Sequence, residues 1–587
     1  MTNSRTSSSK WCGVLILCWL ILTGGLLQAE LHIINSLWGF DGKVLPGRSA
    51  LLTVEVENRD DREFSGEIIL KSGRNGISQS GAVHSHEIYL SPGQRRWIQF
   101  HPYIKDIHNT HRLTWRGGEF DLNNPDFGPP ATVLLADTDG LSASGARMRI
   151  FPENAFPASL AALSQLHAVA MDHVPRWDAV RRAAFLDWIK SGGTVHLLQG
   201  IDGKCPVFPE DLAALNEDKK PLQIGLGSVV FHNTPRHEFS EETLAGTGYP
   251  VAALQVKEGQ PNTYYQDLNQ GLLQKLSELS KADIAWHYIF VLTLFYIALI
   301  GPVYFIWRKK DYRFILALFL GSVVFFSVTF MTIGRRGYGE SQVIHTLTLA
   351  KVMEPGRCNV TQWVNAFATK GGVYTFQHPS KSGYYATTDQ QSIPGQVQEG
   401  KESAYLADIP LFSSQAFMFQ SVMKCSTPDV QITKWETTGS APEFELTIPP
   451  MNPGNIPTHV IVRHMDQFRE LKKETDSLWT SSLPAQNADV IMSRDKLQQL
   501  DMWNYRRQKQ PTTDLMDSLW PALMACAENR DLSFAKGETL EHRPLPAGIL
   551  RVYIYTKSTQ DLNPTAKGFA SAPGNVLYVI DLPVPQP

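Results

Sequence analysis

Two long apolar runs lie next to each other in the middle of the chain. Residues 286–307 and 314–333 each have the roughly 20 apolar positions that a helix needs to cross a bilayer, and neither contains Asp, Glu, Lys or Arg. Residues 308–313, which separate them, carry four Lys or Arg side chains. Because cationic loops stay in the cytoplasm, the pattern predicts a transmembrane hairpin with a cytoplasmic link and extracytoplasmic segments on both sides of it.

The N-terminus predicts the same topology from a different pattern. Arg5 and Lys10 lead into an apolar stretch, and small residues follow it up to a cleavage site after Ala29. We therefore predict a signal peptide over residues 1–29. Leu27 is larger than cleavage prefers, so the alternative is an uncleaved leader that forms a third spanning helix.

Residues 30–118 alternate between apolar and polar positions in short runs. Leu52, Val54 and Val56 illustrate the period of two, and Pro-Gly and Asn/Asp clusters separate the runs. Several short strands at this spacing predict an immunoglobulin-like β-sandwich, a module that binds or spaces.

Three histidines in this region are candidate metal ligands. His84 and His86 alternate on one predicted strand and can share a face, with His101 as a third ligand. No Asp, Glu or Cys has a matching spacing, so we favour solvent-facing or edge histidines and predict no metal site.

Residues 131–250 change to apolar runs that alternate with helical patterns. Short runs at 132–136, 167–171 and 194–198 have the continuous apolar character of strands buried on both faces, and residues 177–190 predict an amphipathic helix. This order predicts a parallel α/β layer.

The sequence FLDWIKSGGTV at residues 185–195 resembles a segment of class I glutamine amidotransferase-like, flavodoxin-like domains. An active member has a Gly-x-Cys-x-Gly turn that presents the nucleophile. Here the nearest thiol, Cys205, is followed by Pro206 and has no such turn. The resemblance therefore implies the fold and argues against the activity.

Four polar residues lie at the carboxyl ends of the predicted strands, where open α/β sheets bind ligands. They are Asp137, Asp139, Asp172 and His173. Asp is also common in the turns that follow strands, so we assign no catalytic residue.

Residues 264–283 predict an amphipathic helix just before the apolar runs. Leu268, Leu272, Leu276 and Leu279 lie on one helical face. This face either lies on the bilayer surface or packs against the α/β domain, and we favour packing because the polar face has no basic excess.

The segment after the apolar runs, residues 334–587, predicts an extracytoplasmic β-rich domain with one helix at 513–526. The predicted strands are residues 343–352, 373–376, 444–448, 459–463, 550–555 and 576–582. Within the first apolar run, Gly301-Pro302 predicts a kink.

Composition and cysteine content narrow the possible functions. The formal net charge of −3 gives no basic field for nucleic acid. Outside the leader the cysteines are Cys205, Cys358, Cys425 and Cys526, without a CxxC element, so a zinc site is not expected. Cys358 and Cys425 belong to one predicted domain and are the predicted disulfide pair.

The whole order resembles a broad group of bacterial envelope membrane proteins of undefined biochemical role. They combine a signal peptide, an immunoglobulin-like module, an amidotransferase-like domain without its triad, a helical pair and a terminal β domain. The matching stretch around the helical pair is YIALIGPVYF at residues 296–305. The resemblance implies an inner-membrane, multi-pass location and work beside MoxR-type ATPases or von Willebrand factor A proteins.

The predicted fold class is thus a multidomain α/β plus all-β membrane protein. Two functions remain: a non-enzymatic envelope protein whose outer domains bind or scaffold a protein or glycan, or a membrane-tethered hydrolase or sugar-binding enzyme that uses the strand-end face. Because the sequence has no nucleophile, metal or phosphate-loop motif, we favour the first, with no cofactor.

Overall fold

The computed structural model describes folded segments on both sides of the apolar runs. The described residues are 31–45, 47–74, 78–79, 81–104, 109–128, 130–137, 148–200, 203–216, 222–240, 264–280, 286–307, 309, 311–338, 341–380, 383–387, 395–400, 402–436, 442–451, 456–481, 484–487, 516–528, 545–546, 548–572 and 574–585. The predicted signal peptide and Asp139 lie outside them. The described α-helices are α1 (Ala179–Lys190), α2 (Tyr264–Leu279), α3 (Trp286–Ala298), α4 (Tyr304–Trp307), α5 (Tyr312–Tyr338) and α6 (Trp520–Glu528).

The N-terminal unit consists of two antiparallel sheets that pack face to face. The first sheet contains Leu31–Trp38, Leu52–Asn58 and Arg95–Phe100. The second contains Gly118–Leu122, Asn109–Trp115, Phe64–Arg74, Val83–Leu90 and the short strand Ser78–Gln79. Leu52, Val54 and Val56 lie in the core between the sheets, as their alternation predicted. Thr53 and Glu55 are buried too, because the outer face of the first sheet packs on the next unit.

The next unit is a six-stranded sheet with five parallel strands. In sheet order its strands are Ile150–Pro152, Ala131–Ala136, Leu166–Met171, Thr194–Gln199, Gly227–Pro235 and the antiparallel Leu222–Ile224. The predicted helix is present as α1, and the Asp178 carboxylate caps its N-terminus by accepting a bond from Arg181 N–H. Phe185 and Trp188 of α1 are fully buried in the core of this unit.

The predicted fold class, with its flavodoxin-like domain and transmembrane hairpin, is wrong. The part of the chain that the structure describes is mostly β, with 48% strand and 22% helix. A flavodoxin-like layer has helices on both faces, whereas α1 is the one α-helix that packs on the parallel sheet within the described residues. Where the structure describes the other connections, they contain 3₁₀ turns: Glu153–Ala155, Ala162–Gln165 and Glu210–Asn216. Prolines interrupt two of these connections, at Pro157 and Pro209, and proline breaks α-helices.

The apolar runs also differ from two continuous spanning helices. Among the residues that the structure describes, only α5 contains a helix long and apolar enough to cross a membrane. The first run is divided, because a π-helical segment at Leu299–Val303 separates α3 from α4. This segment contains Pro302, at the position where the sequence predicted a kink. The two runs contact each other through Tyr296 and Phe326, whose ring centroids are 4.9 Å apart.

The C-terminal unit is built around one large sheet that contains four of the six predicted strands, and the other two, at 373–376 and 444–448, form in other sheets. In order, its path is Tyr384–Ala386, Ser413–Lys424, Arg357–Ala368, Val343–Glu354, Asn575–Pro583, Ile549–Lys557, His459–His464, Gln467–Glu470 and Gln486–Asn487, with Ala570–Ser571 beside it. A smaller sheet contains Gln431–Glu436, Glu443–Thr447, Leu478–Thr480 and Lys472–Lys473. Helices α2 and α6 cover one face of the large sheet. The predicted disulfide between Cys358 and Cys425 is confirmed, with a Cα–Cα distance of 6.3 Å.

The two halves of the chain, before and after the apolar runs, form one body. The second N-terminal sheet continues into the C-terminal half, because Gly395–Glu399 pairs in parallel with Val83–Leu90. Ala404–Ile409 and Gly372–Phe376 then extend the sheet. Helix α2, from the first half, packs on strands of the second half through Leu272 and Leu276.

Candidate functional site

A cavity of about 980 Å³ lies where the three units meet. The N-terminal unit contributes Arg48, Ser49 and Tyr103 to its wall, and the C-terminal sheet contributes a larger share. We call it the central cavity. Its volume falls at the upper end of the range for ligand sites.

The parallel-sheet unit contributes a wall made from the amino ends of its strands. Thr194 begins one of these strands, and Lys190, Ser191 and Gly192 end α1 beside it. The turn at Gly225 reaches this helix end at close range: its φ is +61°, and an added Cβ would lie 2.7 Å from the Lys190 carbonyl oxygen. Only glycine fits there.

The wall from the C-terminal unit carries a buried network of charged side chains. Arg551 donates to both Asp581 carboxylate oxygens, at 2.7 and 3.1 Å, and to Glu528 at 2.9 Å. Arg463 and the Tyr553 hydroxyl also donate to Glu528, the last residue of α6. Burial alone raises the pKa of Glu528, but the charges of Arg551 and Arg463 outweigh it and hold this pKa at about 2. Glu528 is therefore ionised throughout the neutral range.

The lining of the central cavity has more positive than negative side chains. In the described lining, five are cationic and two are acidic. They are Arg48, Lys190, Lys351, Arg463 and Arg551 against Glu528 and Asp581. Glu354, which forms an ion pair with Lys190, lies outside this lining; counting it leaves an excess of two positive charges.

The cavity contains one thiol, Cys526, among its described residues. Burial raises the pKa of this thiol to about 12, more than the nearby charges of Arg48 and Lys351 lower it. Since the thiolate is the nucleophile, this raised pKa disfavours Cys526 as a nucleophile at neutral pH.

Of the polar residues predicted at the carboxyl strand ends, Asp172 and His173 are in contact with each other. His173 Nδ1 lies 2.9 Å from Asp172 Oδ1, and its Nε2 lies 3.1 Å from Glu153 Oε2. The hydrogen bond to Asp172 is the main cause that raises the pKa of His173. Both ring nitrogens thus face carboxylates, an arrangement that favours an imidazolium in an ion-pair cluster over a base with a free nitrogen.

Asp137 lies at the same edge but pairs with Arg176, at 3.3 Å between exposed side chains. This edge is opposite the central cavity, which touches the amino ends of the strands. Sequence analysis considered the carboxyl ends as a candidate ligand face without assigning a residue there, and it missed the cavity because most of the cavity wall comes from residues far away in the chain.

Two of the three candidate metal-ligand histidines, His84 and His101, contact the same carboxylate, that of Glu399. His84 Nδ1 lies 2.5 Å from Glu399 Oε1, and His101 Nδ1 lies 3.3 Å from Glu399 Oε2. The His101 backbone N–H also donates to Glu399, at 3.1 Å. The three side chains are at most 6% exposed, so solvent-facing histidines were the wrong interpretation for His84 and His101. His86 lies apart from this cluster and contacts the Phe100 ring.

This buried cluster joins the two halves of the chain next to the central cavity. The His101 ring lies 3.7 Å from the ring of Tyr384, which lines the cavity. Direct hydrogen bonds join the carboxylate to both rings, and no group of metal-binding side chains occurs among the described residues. The spacing of the histidines carried no signal for Glu399, which is 315 residues from His84.

Comparison with known proteins finds no matching family model and no matching curated protein. One matching solved structure is a Paenibacillus sp. cycloisomaltooligosaccharide glucanotransferase complexed with cycloisomaltoheptaose, with 9% identity, 78% of this chain and 98% of that chain covered, and a TM-score of 0.15. Another is a β-glucuronidase from glycoside hydrolase family 2, with 8% identity, coverage of 96% and 62%, and a TM-score of 0.12. A glycosyl hydrolase family 2 member from Bacteroides cellulosilyticus has 9% identity, coverage of 94% and 79%, and a TM-score of 0.13. Some matching structures are therefore glycoside hydrolases, but TM-scores this low carry no argument about fold or function.

Proposed function

We propose that this protein is a non-enzymatic, membrane-anchored binding protein whose extracytoplasmic body holds a ligand in the central cavity. The observation that carries the proposal is the joint construction of the cavity: all three units contribute walls, and the units come from both sides of the apolar runs. A scaffold that only spaces domains has no need for a partly enclosed volume of this size at their junction.

The acidic groups of the cavity support binding over glycoside hydrolysis. A glycosidase needs one carboxylic acid with a raised pKa and a second carboxylate beside the scissile bond. Glu528 and Asp581 are both bonded to Arg551, and the pKa of Glu528 is about 2. Glu528 is therefore not arranged to donate a proton to a leaving group at neutral pH, and the Asp581 carboxylate is held by two hydrogen bonds from Arg551.

The surface of the apolar helices supports membrane anchoring. Large apolar side chains on α3 and α5 are mostly exposed, including Phe295 at 68% and Phe325 at 61%. Water disfavours an apolar surface of this extent, whereas lipid does not. Since α2 and the strand Val343–Glu354 pack together, the chain enters and leaves the apolar pair on the same side.

Site-specific labelling tests the anchoring and the topology. We expect Val207→Cys and Val373→Cys, at sites 79% and 69% exposed, to react with a membrane-impermeant maleimide in right-side-out vesicles. Opposite accessibility of positions 207 and 373, or release of the protein by carbonate, would each overturn the proposal.

A further inference from the structure

We infer that the C-terminal unit contacts the surface of an anionic phospholipid bilayer through the turn at residues 410–412, an inference that rests on the proposed membrane anchoring. We call this turn the proximal turn. Two observations carry the inference: both connections to the apolar helices attach at one end of the large sheet, and the proximal turn exposes apolar side chains at that same end.

The strand pairing shows which end of the large sheet lies nearest to the membrane. The strand that follows α5 begins at Val343, which pairs with Phe367. Ser280, shortly before α3, accepts a hydrogen bond from the Asn365 side chain at 2.5 Å. Both partners lie near the end of the strand Arg357–Ala368. The chain therefore enters and leaves the apolar helices beside this end, which we call the proximal end of the large sheet.

The two connections are too short to hold the proximal end far from the bilayer. The apolar span of α5 ends at Ile333. Residues 334–338 complete the helix and add about 7.5 Å, and the chain from there to Gln342 reaches at most about 14 Å. On the entry side, the chain from Ser280 to Trp286 reaches at most about 20 Å. The headgroup layer itself fills roughly a third of such a distance, so the proximal end lies close to the membrane surface.

The proximal turn lies at this end of the sheet. It leads into the strand Ser413–Lys424, whose first residue pairs with Ala368. It also contacts the loop that follows Ala368, because a Cβ added to Gly371 would lie 3.2 Å from the Leu411 backbone nitrogen. The turn is thus the outermost part of the hairpin-like edge that faces the membrane.

Hydrogen bonds join the same loop to the residues that follow α5. The Gln342 side chain donates to the Tyr374 hydroxyl at 2.9 Å, and this hydroxyl donates to the Lys370 carbonyl at 2.7 Å. The Gln342 carbonyl accepts a bond from the Ala570 N–H at 2.9 Å. Two exposed lysines, Lys370 and Lys567, are therefore held near the exit from α5.

The side chains of the proximal turn suit the boundary between lipid headgroups and acyl chains. Leu411 is 60% exposed and Phe412 is 38% exposed. Exposed apolar groups beside a bilayer leave water by entering this boundary. Lys370 and Lys567 favour anionic headgroups, but the exposed Asp408 just before the turn offsets one of them. The apolar side chains therefore supply most of the contact, and the lysines set a preference for anionic lipid.

Met465 provides a matched control at the other end of the large sheet. It is also an apolar turn residue, and it is 45% exposed. It follows the strand His459–His464, which runs in the same direction as Val343–Glu354 and therefore ends far from the membrane. A probe at this position reports exposure in a turn without proximity to lipid.

Fluorescence quenching by lipid tests the inference. In the full-length protein, the four cysteines outside the disulfide are replaced by alanine, and Leu411→Cys or Met465→Cys is labelled with a nitrobenzoxadiazole. The protein is reconstituted into vesicles of phosphatidylcholine and phosphatidylglycerol that contain a phospholipid with a nitroxide near the top of its acyl chain. We expect at least about three-fold stronger quenching at position 411 than at position 465. Unfolding midpoints show that both labelled proteins are folded, and Lys370→Cys gives a second reporter that should be quenched like position 411.

The preference for anionic lipid is tested in the same system. We expect vesicles of phosphatidylcholine alone to reduce the quenching at position 411 by about two-fold. The double variant Lys370→Gln/Lys567→Gln should remove this dependence on phosphatidylglycerol. Lys434→Gln, an exposed lysine of the smaller sheet, is the control and should leave the dependence unchanged.

The outcomes separate this inference from the anchoring on which it rests. Equal quenching at positions 411 and 465, in protein that resists carbonate extraction, overturns the contact and leaves the membrane anchor in place. Release by carbonate overturns the anchor itself. Strong quenching at position 411 that does not depend on phosphatidylglycerol overturns the preference for anionic lipid.

Discussion

Glu399 is a buried carboxyl on which the contact between the two halves of the chain depends. It accepts hydrogen bonds from the first half at His84 and His101, while its own strand belongs to the second. Burial raises the pKa of Glu399, but the bonds and charges of His101 and His84 outweigh it and hold this pKa well below its usual range. Glu399 is therefore ionised in the folded state at neutral pH.

Replacement of this carboxylate should destabilise the protein strongly. We expect Glu399→Gln to lower the free energy of unfolding by about 3–5 kcal/mol, because removing one member of a buried charged cluster leaves the others uncompensated. Denaturant unfolding in detergent measures this. Glu87→Gln, an exposed carboxyl on the same strand as His84, is the control and should change stability by less than about 0.5 kcal/mol. Equal effects of the two variants would contradict the role of Glu399.

Three buried histidines make the fold sensitive to acid. Burial is the main cause that lowers the pKa of His196 and His378 to about 3 and that of His111 to about 4. In the unfolded chain these groups bind protons below about pH 6.5. The unfolded state therefore binds more protons between about pH 6.5 and 4, and stability falls as the pH falls through this window.

We expect each of these histidines to lower the free energy of unfolding at pH 5 by about 2 kcal/mol relative to pH 8. Below about pH 4.5 the lowered pKa of Glu399 adds a further loss in the same direction. Denaturant unfolding at pH 8, 7, 6 and 5 measures the slope. His196→Leu should reduce the slope, whereas His237→Gln, at an exposed site, should leave it unchanged. A free energy of unfolding that does not change from pH 8 to pH 5 would contradict this prediction.

The single residues show what a sequence can and cannot reveal. Cys358 and Cys425 were paired correctly because compartment and domain membership left few partners. His84 and His101 were misinterpreted because their partner depends on which strands become neighbours, and no local pattern encodes the pairing of Gly395–Glu399 with Val83–Leu90.

The disulfide joins the strand Arg357–Ala368 to the residue that follows its neighbour Ser413–Lys424. It closes a loop with a sequence separation of 67. Loop-closure entropy predicts that the double variant Cys358→Ala/Cys425→Ala loses about 4 kcal/mol of unfolding free energy. Cys205→Ala, which removes a thiol outside the disulfide, should have an effect several-fold smaller. Urea unfolding of both variants measures the difference, and a double variant as stable as the wild type would refute the predicted stabilisation.

Helix α2 shows the limit of a periodic pattern. The leucine stripe correctly predicted a helix with one buried face, because the spacing of three and four residues fixes which side chains share that face. It did not predict what covers the face. Both alternatives, the bilayer surface and the α/β domain, were wrong, since the stripe packs on the C-terminal sheet more than 60 residues away.

The strands of the C-terminal unit were predictable, but the order of its sheet was not. Alternation and β-branched residues identified segments such as Val343–Glu354 and Ile549–Lys557. Long-range pairing then placed Asn575–Pro583 between these two strands. Position in the chain does not determine such an order, and for the same reason the central cavity could not be derived from the sequence.

At the scale of the whole molecule, the apolar helices are inserted in the sequence between two segments that fold together as one body. The chain builds two units, passes through α3 and α5, and then completes a sheet that the first unit began. Charged contacts reinforce this union: Arg357 donates to both Asp187 carboxylate oxygens, at 2.9 and 2.6 Å. In the proposed orientation, the body stands on one side of the membrane and encloses the cavity there.

The Lys190–Glu354 ion pair permits a test of this union in the native chain. These side chains lie 2.5 Å apart, one at the end of α1 beside the central cavity and the other on the C-terminal sheet, with both apolar runs between them in sequence. A carbodiimide joins an amine and a carboxylate in contact without adding a spacer. Mass spectrometry of membranes treated in this way should find the peptide containing Lys190 linked to the peptide containing Glu354, and Lys190→Arg should abolish the link. Absence of the link in wild-type membranes, while the Lys472–Glu474 contact of the smaller sheet is efficiently coupled, would show that the two halves do not form one body.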